Sequence, residues 1–145
     1  MKLVIQRVKN ATVELDGVIV SQIGKGLLIF LGISKQDDNS EVNWLAKKAI
    51  ELRIFEDDAD KMNLSLADVN GEVLLVPQFT LYGNCDKGRR PNFTSAAKPK
   101  KALNLFKEFA SRLEEIYIKP KLGYFGEHME ISLVNDGPVT IVIEK

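Results

Sequence analysis

The sequence predicts one α/β domain, residues 1–145, with a mixed, mostly antiparallel sheet and two main helices. Three observations support this class. Strand-like segments rich in β-branched residues stand near both ends of the chain, and only two segments have helical periodicity. The connections between them are short, with no linker and no repeat. The 145 residues are 45% apolar and 28% charged, which suits a soluble domain with a single core.

Four strands are expected before the first helix. Segments 2–9, 11–15 and 18–23 are rich in β-branched residues, and Asp-Gly within LDGV (15–18) predicts a hairpin between the last two. GLLIFLGI (26–33) is a continuous apolar run flanked by glycines. Such a run is typical of a strand that is buried on both faces.

The first helix is predicted from about Ser40 to Arg53, with Asn39 or Ser40 as its N-cap. Trp44 lies off the apolar side of this helix, so we expect it at an edge or at a partner surface. The apolar stripe has helical spacing and consists of Val42, Leu45, Ala46, Ala49 and Leu52.

Segment 72–83, EVLLVPQFTLYG, predicts a strand that runs into Pro77. Proline has no N–H to donate, so the strand pairing should break there or lie at a sheet edge. The second helix is expected to start near Pro99, a residue that suits the first helical position. Its predicted buried stripe is Leu103, Phe106, Ala110, Leu113 and Tyr117.

The chain closes with two strand-like segments, 128–134 and 139–145, separated by NDGPVT. Asn135, Asp136 and Gly137 are turn-forming residues. Local sequence therefore favours a hairpin turn between the two strands. The alternative is that the Gly-Pro backbone is itself a functional surface.

The residue totals narrow the classes of function. Twenty basic and twenty acidic residues leave no net charge, so the whole molecule does not attract nucleic acid. One cysteine excludes an intrachain disulfide framework and favours a cytoplasmic, reducing setting. One cysteine and one histidine argue against a zinc site. We therefore expect no metal. No apolar run could span a bilayer and the start is not a signal peptide, so we expect no membrane partner either.

The charge is uneven along the chain. Between Lys87 and Lys101 there are six Lys or Arg residues and no acidic residue, whereas FEDDAD (55–60) is strongly acidic. The basic stretch can contact phosphates, or it is a solvated loop.

The sequence holds few candidates for chemistry. No G-x-S-x-G motif is present. Cys85 has basic residues nearby in sequence that could activate it, and His128 could be a general base, but a lone cysteine and a histidine at a strand end are more often incidental. Thr80 is more informative, because backbone N–H groups released at the proline break can form an oxyanion hole. The alternative is an ordinary strand with Phe79 inward and Thr80 outward.

Four segments together carry a family resemblance. VPQFTLYG, KGRRPNF, GYFGEHM and NDGPVT occur in this order, and they resemble the D-aminoacyl-tRNA deacylases, whose signature motifs are S-Q-F-T and N-x-G-P-V-T. VIQRV, GKGLLIFLGI, RIFED and KMNLSL are also similar, so the resemblance covers nearly the whole chain. The chain departs from the family pattern in two places. Pro77 replaces the serine of S-Q-F-T, and Glu127 and His128 replace the Ala-Asp pair that the family has before the methionine at position 129.

The resemblance implies a barrel-like core and a homodimer that needs no cofactor. It implies hydrolysis of the ester that joins a D-amino acid to the 3′-terminal adenosine of tRNA. It further implies that the Gly137–Pro138 bond is cis and reaches into the partner's active site. There the two carbonyls would accept the substrate's ammonium and leave no space for an L side chain, whereas glycine would not be excluded.

The resemblance also implies roles for individual residues. Gln78, Phe79 and Thr80 would form the catalytic site, with the Phe79 N–H stabilising the oxyanion. The substrate's ribose 2′-OH would organise the attacking water, and Thr80 as a covalent nucleophile is the alternative. The substrate-binding residues would be Gly137, Pro138, Arg7, Phe125, Met129 and Ala102.

Two further expectations concern the partner. Arg7 would brace the Gly-Pro loop, and the amides around Ala102 would offer an anion site. The likeness places tRNA phosphates at Lys87, Arg89 and Arg90. A non-enzymatic RNA-binding or scaffold module is the competing class. A DNA partner is not expected, because no helix-turn-helix is recognisable.

Overall fold

A computed structural model describes residues 1–145 and shows eight strands, two α-helices and one 3₁₀ helix. The helices are α1 (Asn39–Glu51) and α2 (Pro99–Ile116), and the 3₁₀ helix is Phe79–Tyr82. The strands are β1 (Lys2–Leu15), β2 (Val18–Ile23), β3 (Gly26–Gly32), β4 (Phe55–Glu56), β5 (Met62–Leu64), β6 (Glu72–Pro77), β7 (Lys121–Leu122) and β8 (Glu130–Glu144).

The main sheet has six strands and is mixed, as predicted. Its order is β2-β1-β3-β6-β7, and β8 pairs with the other edge of β1. The three pairings of β1 are antiparallel, whereas β3–β6 and β6–β7 are parallel. Ser21 of β2 donates to the carbonyl of Leu122 in β7 at 2.6 Å. The two ends of the sheet thus meet, and the sheet forms a nearly closed barrel.

Strand β1 is longer than predicted. We expected separate strands on either side of Asn10, but one strand of 14 residues runs through it. The reason is non-local, since Asn10 pairs with Val134 of β8. The Asp-Gly hairpin is confirmed: Asp16 (φ 49°) and Gly17 (φ 80°) both have the positive φ of a tight hairpin turn.

The core lies on both sides of β3, as its apolar run predicted. Leu27, Ile29 and Leu31 belong to the larger apolar cluster, beneath the helices, whereas Leu28 belongs to a second cluster inside the barrel. Alternate side chains of a strand point to opposite faces, so β3 contributes to both clusters.

Helix α1 begins one residue earlier than predicted. Its N-cap is Asp38, whose carboxylate accepts from the Ser40 amide at 2.7 Å, while Glu41 accepts from the Asp38 amide at 2.7 Å. This reciprocal arrangement is a capping box. Trp44 lies at an edge, 43% exposed, with the Lys145 ammonium 5.4 Å from its ring centre. The predicted stripe is buried except for partly buried Leu52, which follows the helix.

Helix α2 starts at Pro99, as predicted, but its buried face is rotated from the expected one. Of the predicted stripe, Phe106 and Leu113 are buried, whereas Leu103, Ala110 and Tyr117 are only partly buried. Two apolar spacings overlap in this helix, and tertiary packing selects the other one, with Ala102, Leu105 and Phe109 buried. Neither helix has an apolar stretch that could cross a membrane.

The hairpin expected at NDGPVT is wrong. Strand β8 keeps its direction through this segment, and both of its halves pair with β1. Asn135 is opposite Val8 and Thr140 is opposite Gln6, so the residues between them bulge from the ladder opposite Arg7. Turn-forming residues suit such a bulge as well as a hairpin. The bulge forms here because β1 offers one continuous edge with which both halves of β8 pair. We call residues 135–139 the Gly-Pro loop.

Candidate functional site

An apolar cavity of about 430 Å³ opens where β3 and β6 end and α2 begins. Eight of its eleven lining residues are hydrophobic, and they include Leu31, Ile33, Phe93 and Ala97. Two larger cavities, of about 700 and 720 Å³, are lined mainly by charged and polar residues. An apolar cleft with a few convergent polar groups is the usual form of a small-ligand site, so we take this cavity as the candidate.

The polar groups of this cavity come from the end of β6. The strand ends at Pro77, as predicted, although it is an inner strand between β3 and β7 and not an edge. The Gln78 amide makes a last bond to the Leu31 carbonyl at 2.8 Å, and the chain then turns into the 3₁₀ helix. The first N–H groups of a helix, here those of Phe79 and Thr80, have no acceptor within it.

Residues 78–80 do not form the ordinary strand that we considered as an alternative. Phe79 is not inward but 58% exposed, and it begins the 3₁₀ helix. The Gln78 side-chain amide donates to the Thr80 hydroxyl oxygen. An amide nitrogen cannot accept a proton, so this contact does not activate Thr80 as a nucleophile.

Aromatic rings form much of the cavity wall. Phe79 meets Phe93 edge to face, with ring centres 5.2 Å apart. The ring centres of Phe125 and Phe106 are 6.4 Å apart. Phe125 and Ala102 line the cavity, and their contact with a substrate stays a prediction. Phe93 was not among the site residues expected from the sequence. Its place in KGRRPNF was a signal, but its contact with Phe79 depends on the fold.

Met129 is not among the residues that line the cavity. Its sulfur accepts from the Tyr124 amide at 3.2 Å and lies 3.1 Å from the position of a Cβ added at Gly123. Met129 therefore supports the segment that carries Phe125, and its substrate contact stays a prediction.

The Gly-Pro loop contains a cis peptide bond between Gly137 and Pro138, and both residues are exposed. Gly137 has φ +132°, a conformation that L side chains rarely adopt. A Cβ at this position would also lie 2.8 Å from Nη2 of Arg7. Only glycine fits at position 137.

Arg7 lies beneath the loop and is 3% exposed. Its Nε donates to the Asp136 carbonyl at 2.8 Å, and its Nη1 donates to the Ile54 carbonyl at 2.6 Å. A planar guanidinium presents its donors in fixed directions, so these bonds hold the loop relative to the body of the sheet.

Asn135 holds the loop at its base. From the sequence, this residue was expected only as a turn former. Its side-chain oxygen accepts from the Val139 amide at 2.7 Å, and its side-chain nitrogen donates to the Val139 carbonyl at 3.1 Å. The position of Asn135 at the start of N-x-G-P-V-T was the available signal.

The loop and the cavity of one chain are well separated. Arg7, which lies under the loop, pairs with Leu27 of β3, whereas the cavity starts at Leu31. Four residues along a strand span roughly 13 Å. The Gly-Pro loop therefore does not contribute to the cavity of its own chain.

Basic side chains occupy two exposed places near the cavity. Lys87, Arg89 and Arg90 lie on a loop that is closed by backbone bonds between Asn84 and Asn92, at 2.8 and 2.9 Å. The start of α2 carries Lys98 as its N-cap and Lys100 and Lys101 in its first turn, beside one of the polar cavities. The N-cap makes no side-chain hydrogen bond to the helix.

The remaining titratable groups suggest no further chemistry. Cys85 and His128 are both exposed. Burial, together with the Asp37 carboxylate, raises the pKa of Tyr82, so its hydroxyl stays protonated at neutral pH. No cluster of three or more His, Cys, Asp or Glu side chains could hold a metal ion.

Known proteins share this fold over its whole length. A solved structure titled "c-Myc DNA Unwinding Element Binding Protein" superposes with a TM-score of 0.94 at 39% identity and covers 100% of this chain and 99% of that one. A second, titled as a probable eukaryotic D-amino acid tRNA deacylase, gives a TM-score of 0.79 at 17% identity over 98% and 97% of the two chains, which shows the fold alone.

Sequence comparison defines the family more closely. The family model described as "D-Tyr-tRNA(Tyr) deacylase" matches residues 4–144. Proteins named "D-aminoacyl-tRNA deacylase" are 52% identical in Thermosipho africanus, over 99% of this chain and 97% of the relative, and 54% identical in Desulfatibacillum aliphaticivorans, over 99% of both. The chain belongs to the D-Tyr-tRNA(Tyr) deacylase family. The family expected from the sequence motifs is confirmed, and with it the class of enzyme, a hydrolase of aminoacyl-tRNA esters.

Proposed function

We propose that the chain hydrolyses the ester bond of D-aminoacyl-tRNA and releases the free D-amino acid and tRNA. Family membership supports the reaction class. The observation that carries the proposal is the pairing of two features: a cavity with helix-start amides at Phe79 and Thr80, and an exposed, braced Gly-Pro loop that its own cavity cannot use.

The cavity suits the terminal adenosine of tRNA. Its volume of about 430 Å³ and its apolar, partly aromatic wall fit a planar base. Phe93 and Phe125 offer faces or edges against which adenine packs. The ribose then lies toward Gln78, with the ester close to the Phe79 amide.

The reaction needs little beyond positioning, because an aminoacyl ester is already activated. Water attacks the ester carbon, and the resulting oxyanion accepts a hydrogen bond from the Phe79 N–H. Loss of one such donor typically slows an enzyme on the order of 10²–10³-fold. The ribose 2′-OH organises the water, and the proton that the attacking water loses is transferred to the departing 3′ oxygen. Thr80 has a scaffolding role, since its partner is the Gln78 amide.

The enzyme works as a homodimer in this proposal. The Gly-Pro loop lies roughly 13 Å along the sheet from its own cavity, so a second copy must receive it. Strand β8 pairs on one side only, with β1, and Val134 and Val142 on it are 47% and 62% exposed. This open edge with exposed apolar residues suits an interface with another copy.

The loop then selects the substrate's chirality. The Gly137 and Pro138 carbonyls accept the substrate's ammonium, and the backbone leaves no room for an L side chain. Glycine carries no side chain, so Gly-tRNA is hydrolysed as well. Because the selecting groups are backbone atoms, the D-amino acid's own side chain has little influence. The reaction is a cytoplasmic proofreading step of translation and needs no cofactor.

The tRNA body contacts the protein through local basic groups. Phosphates of the acceptor end meet Lys87, Arg89 and Arg90, and the first turn of α2 near Ala102 adds a second positive region. Contact is confined to these regions, since the formal net charge is zero.

The test is a comparison of D-Tyr-tRNA with L-Tyr-tRNA, following loss of the ester bond. We expect rapid cleavage of the D ester, cleavage of Gly-tRNA, and an L ester that decays no faster than without protein. Comparable cleavage of the D and L esters would contradict the selecting role of the loop. No cleavage of either would leave an RNA-binding module as the better description.

A further inference from the structure

We propose that strand β4, on the separate small sheet, sets the position of the Gly-Pro loop, and that Glu56 is a positioning residue for chiral selection. This inference rests on the proposed function and deepens it. The connection runs from the Glu56 carboxylate through the Arg7 guanidinium to the backbone at Asp136 and Gly137.

The guanidinium of Arg7 bridges two elements that do not pair with each other. On one side, its Nε donates to the Asp136 carbonyl at 2.8 Å. On the other side, Nη1 donates to the Ile54 carbonyl at 2.6 Å and Nη2 to the Glu56 carboxylate at 3.3 Å. The guanidinium is a rigid plane, so these two acceptors, one in β4 and one directly before it, fix the direction in which Nε points.

Glu56 is the one hydrogen-bond acceptor of Arg7 in this connection that is a side chain. The carbonyls of Ile54 and Asp136 are backbone groups, which any residue would provide. The buried Arg7 charge also needs a counter-charge. The Asp136 carboxylate is 3.7 Å from Nε but is shared with Lys9 at 4.0 Å, whereas the Glu56 carboxylate is closer, 3.3 Å from Nη2.

The atom that Glu56 holds is also the atom nearest to the loop's critical glycine. A Cβ placed on Gly137 would be 2.8 Å from Nη2 of Arg7, so this nitrogen packs directly against Gly137. When the contact with Glu56 is lost, Nη2 is free to move and the support under Gly137 moves with it.

The β4–β5 hairpin is stiff enough to act as a reference. The Asp57 carboxylate accepts from the Ala59 and Lys61 amides at 2.9 and 3.1 Å and from the Asn63 side chain at 2.6 Å. Three positions of the hairpin, 59, 61 and 63, are thereby tied to one side chain that follows Glu56 directly. When the Gly-Pro loop shifts, the Glu56 and Arg7 side chains therefore move, whereas the β4–β5 hairpin keeps its position.

The test compares Glu56→Ala and Glu56→Gln with the wild type on D-Tyr-tRNA and L-Tyr-tRNA. Asp58→Asn is the matched control, because Asp58 lies in the same hairpin, is exposed, and forms no ion pair or side-chain hydrogen bond. We expect Glu56→Ala to lower the D-to-L rate ratio about fivefold, mainly by faster cleavage of the L ester, which is the upper range for a half-exposed ion pair. Glu56→Gln keeps an acceptor and should fall between Glu56→Ala and the wild type. Asp58→Asn should leave the ratio unchanged.

A double-mutant cycle tests the route through Arg7. Arg7→Lys keeps the charge but removes the fork, so adding Glu56→Ala to it should lower the ratio no further. An unchanged ratio in Glu56→Ala, or a full additive loss in the double variant, overturns the inference. Equal loss of the D and L rates with a lower Tm also overturns it, because that pattern reports only a structural role. If Glu56→Ala does not fold, Glu56→Gln decides by the same criteria. Failure of the proposed function gives a different result from failure of this inference, because the wild type itself would then not distinguish D-Tyr-tRNA from L-Tyr-tRNA.

Discussion

Asn135 shows how a single side chain can close a loop in the middle of a strand. It pairs with both backbone groups of Val139, and its nitrogen also lies 3.0 Å from the Gln6 side-chain oxygen and 3.1 Å from the Thr140 hydroxyl. These contacts replace the ladder bonds that the bulge removes. The loop is therefore an ordered part of the sheet and not a flexible excursion.

We predict that Asn135→Ala destabilises the protein by about 1–3 kcal/mol, the usual cost when part-buried polar groups lose their partners. It should also lower the D-to-L rate ratio, because Gly137 and Pro138 lose their fixed position. Urea unfolding and the paired tRNA assay measure the two effects. Asn104→Ala, on the exposed side of α2, is the control and should change stability by less than about 0.5 kcal/mol. Wild-type selectivity in Asn135→Ala would show that the side chain does not hold the loop.

Thr80 offers a second prediction at this scale. Thr80→Ala removes a hydroxyl that is bonded to the Gln78 amide but keeps the Phe79 N–H. We expect the rate to fall by no more than about tenfold, since one neutral hydrogen bond contributes about 1 kcal/mol. A D-aminoacyl-tRNA ending in 2′-deoxyadenosine should be a poor substrate for the wild type. The reverse pattern, an inactive Thr80→Ala and normal cleavage of the deoxy substrate, would identify Thr80 as the nucleophile.

At the scale of single elements, local chemistry predicted where helices begin better than where strands end. Pro99 marked the start of α2, and the polar residues before α1 placed its cap within one residue of Asp38. Two of the errors, a break at Asn10 and a hairpin at NDGPVT, have one cause. Both segments are held in register by a strand at the opposite end of the sequence, which local patterns do not contain.

The α1 cap supports a pH-dependent prediction. Hydrogen bonds from Ser40 lower the pKa of Asp38 below its ordinary value of 3.8. A lowered folded-state pKa means that the cap contributes stability above the unfolded value and loses it as the pH falls through the folded value. Asp38→Ala should therefore unfold at a lower urea concentration than the wild type at pH 7. The difference should shrink below pH 3.8 and largely vanish at more acidic pH. A pH-independent difference would argue against the charged cap.

For the whole molecule, the sequence predicted the fold class and the family but not the cavity. The cavity wall combines Leu31, Gln78, Phe93 and Ala102, which come from four separate segments. Each residue alone is ordinary in its local context. The family resemblance implied that the signature motif at 135–140 acts in a partner's site, but its separation from the cavity of its own chain is seen only through the pairing of β1 with β8 and β3.

Mixing two defective variants tests the exchange of loops between copies. Gly137→Ala should impair the loop, since its Cβ would lie 2.8 Å from Arg7. Phe79→Pro removes the oxyanion donor, and Gln78 at φ −146° and ψ 83° has an extended φ that a residue before proline can adopt. Each variant alone should be nearly inactive on D-Tyr-tRNA.

In a mixed dimer, one site combines the intact cavity of one chain with the intact loop of the other. Co-refolding the two variants in equal amounts should therefore restore about a quarter of the wild-type sites. Sedimentation should give a dimer mass at micromolar concentration. A monomer with full activity, or no recovery on mixing, would exclude the exchange.

The two edges of β1 are filled at different times as the chain is made. Its partners β2 and β3 follow at once, whereas β8 comes from the opposite end of the sequence. Nearby contacts form before distant ones, so a nascent chain has a half-finished barrel whose open β1 edge is exposed to other chains. Arg7 then has its acceptors at residues 54 and 56 but no loop to hold. We expect stereochemical selection to be the last property that a newly synthesised chain acquires, and truncation within β8 to leave an aggregation-prone protein without it.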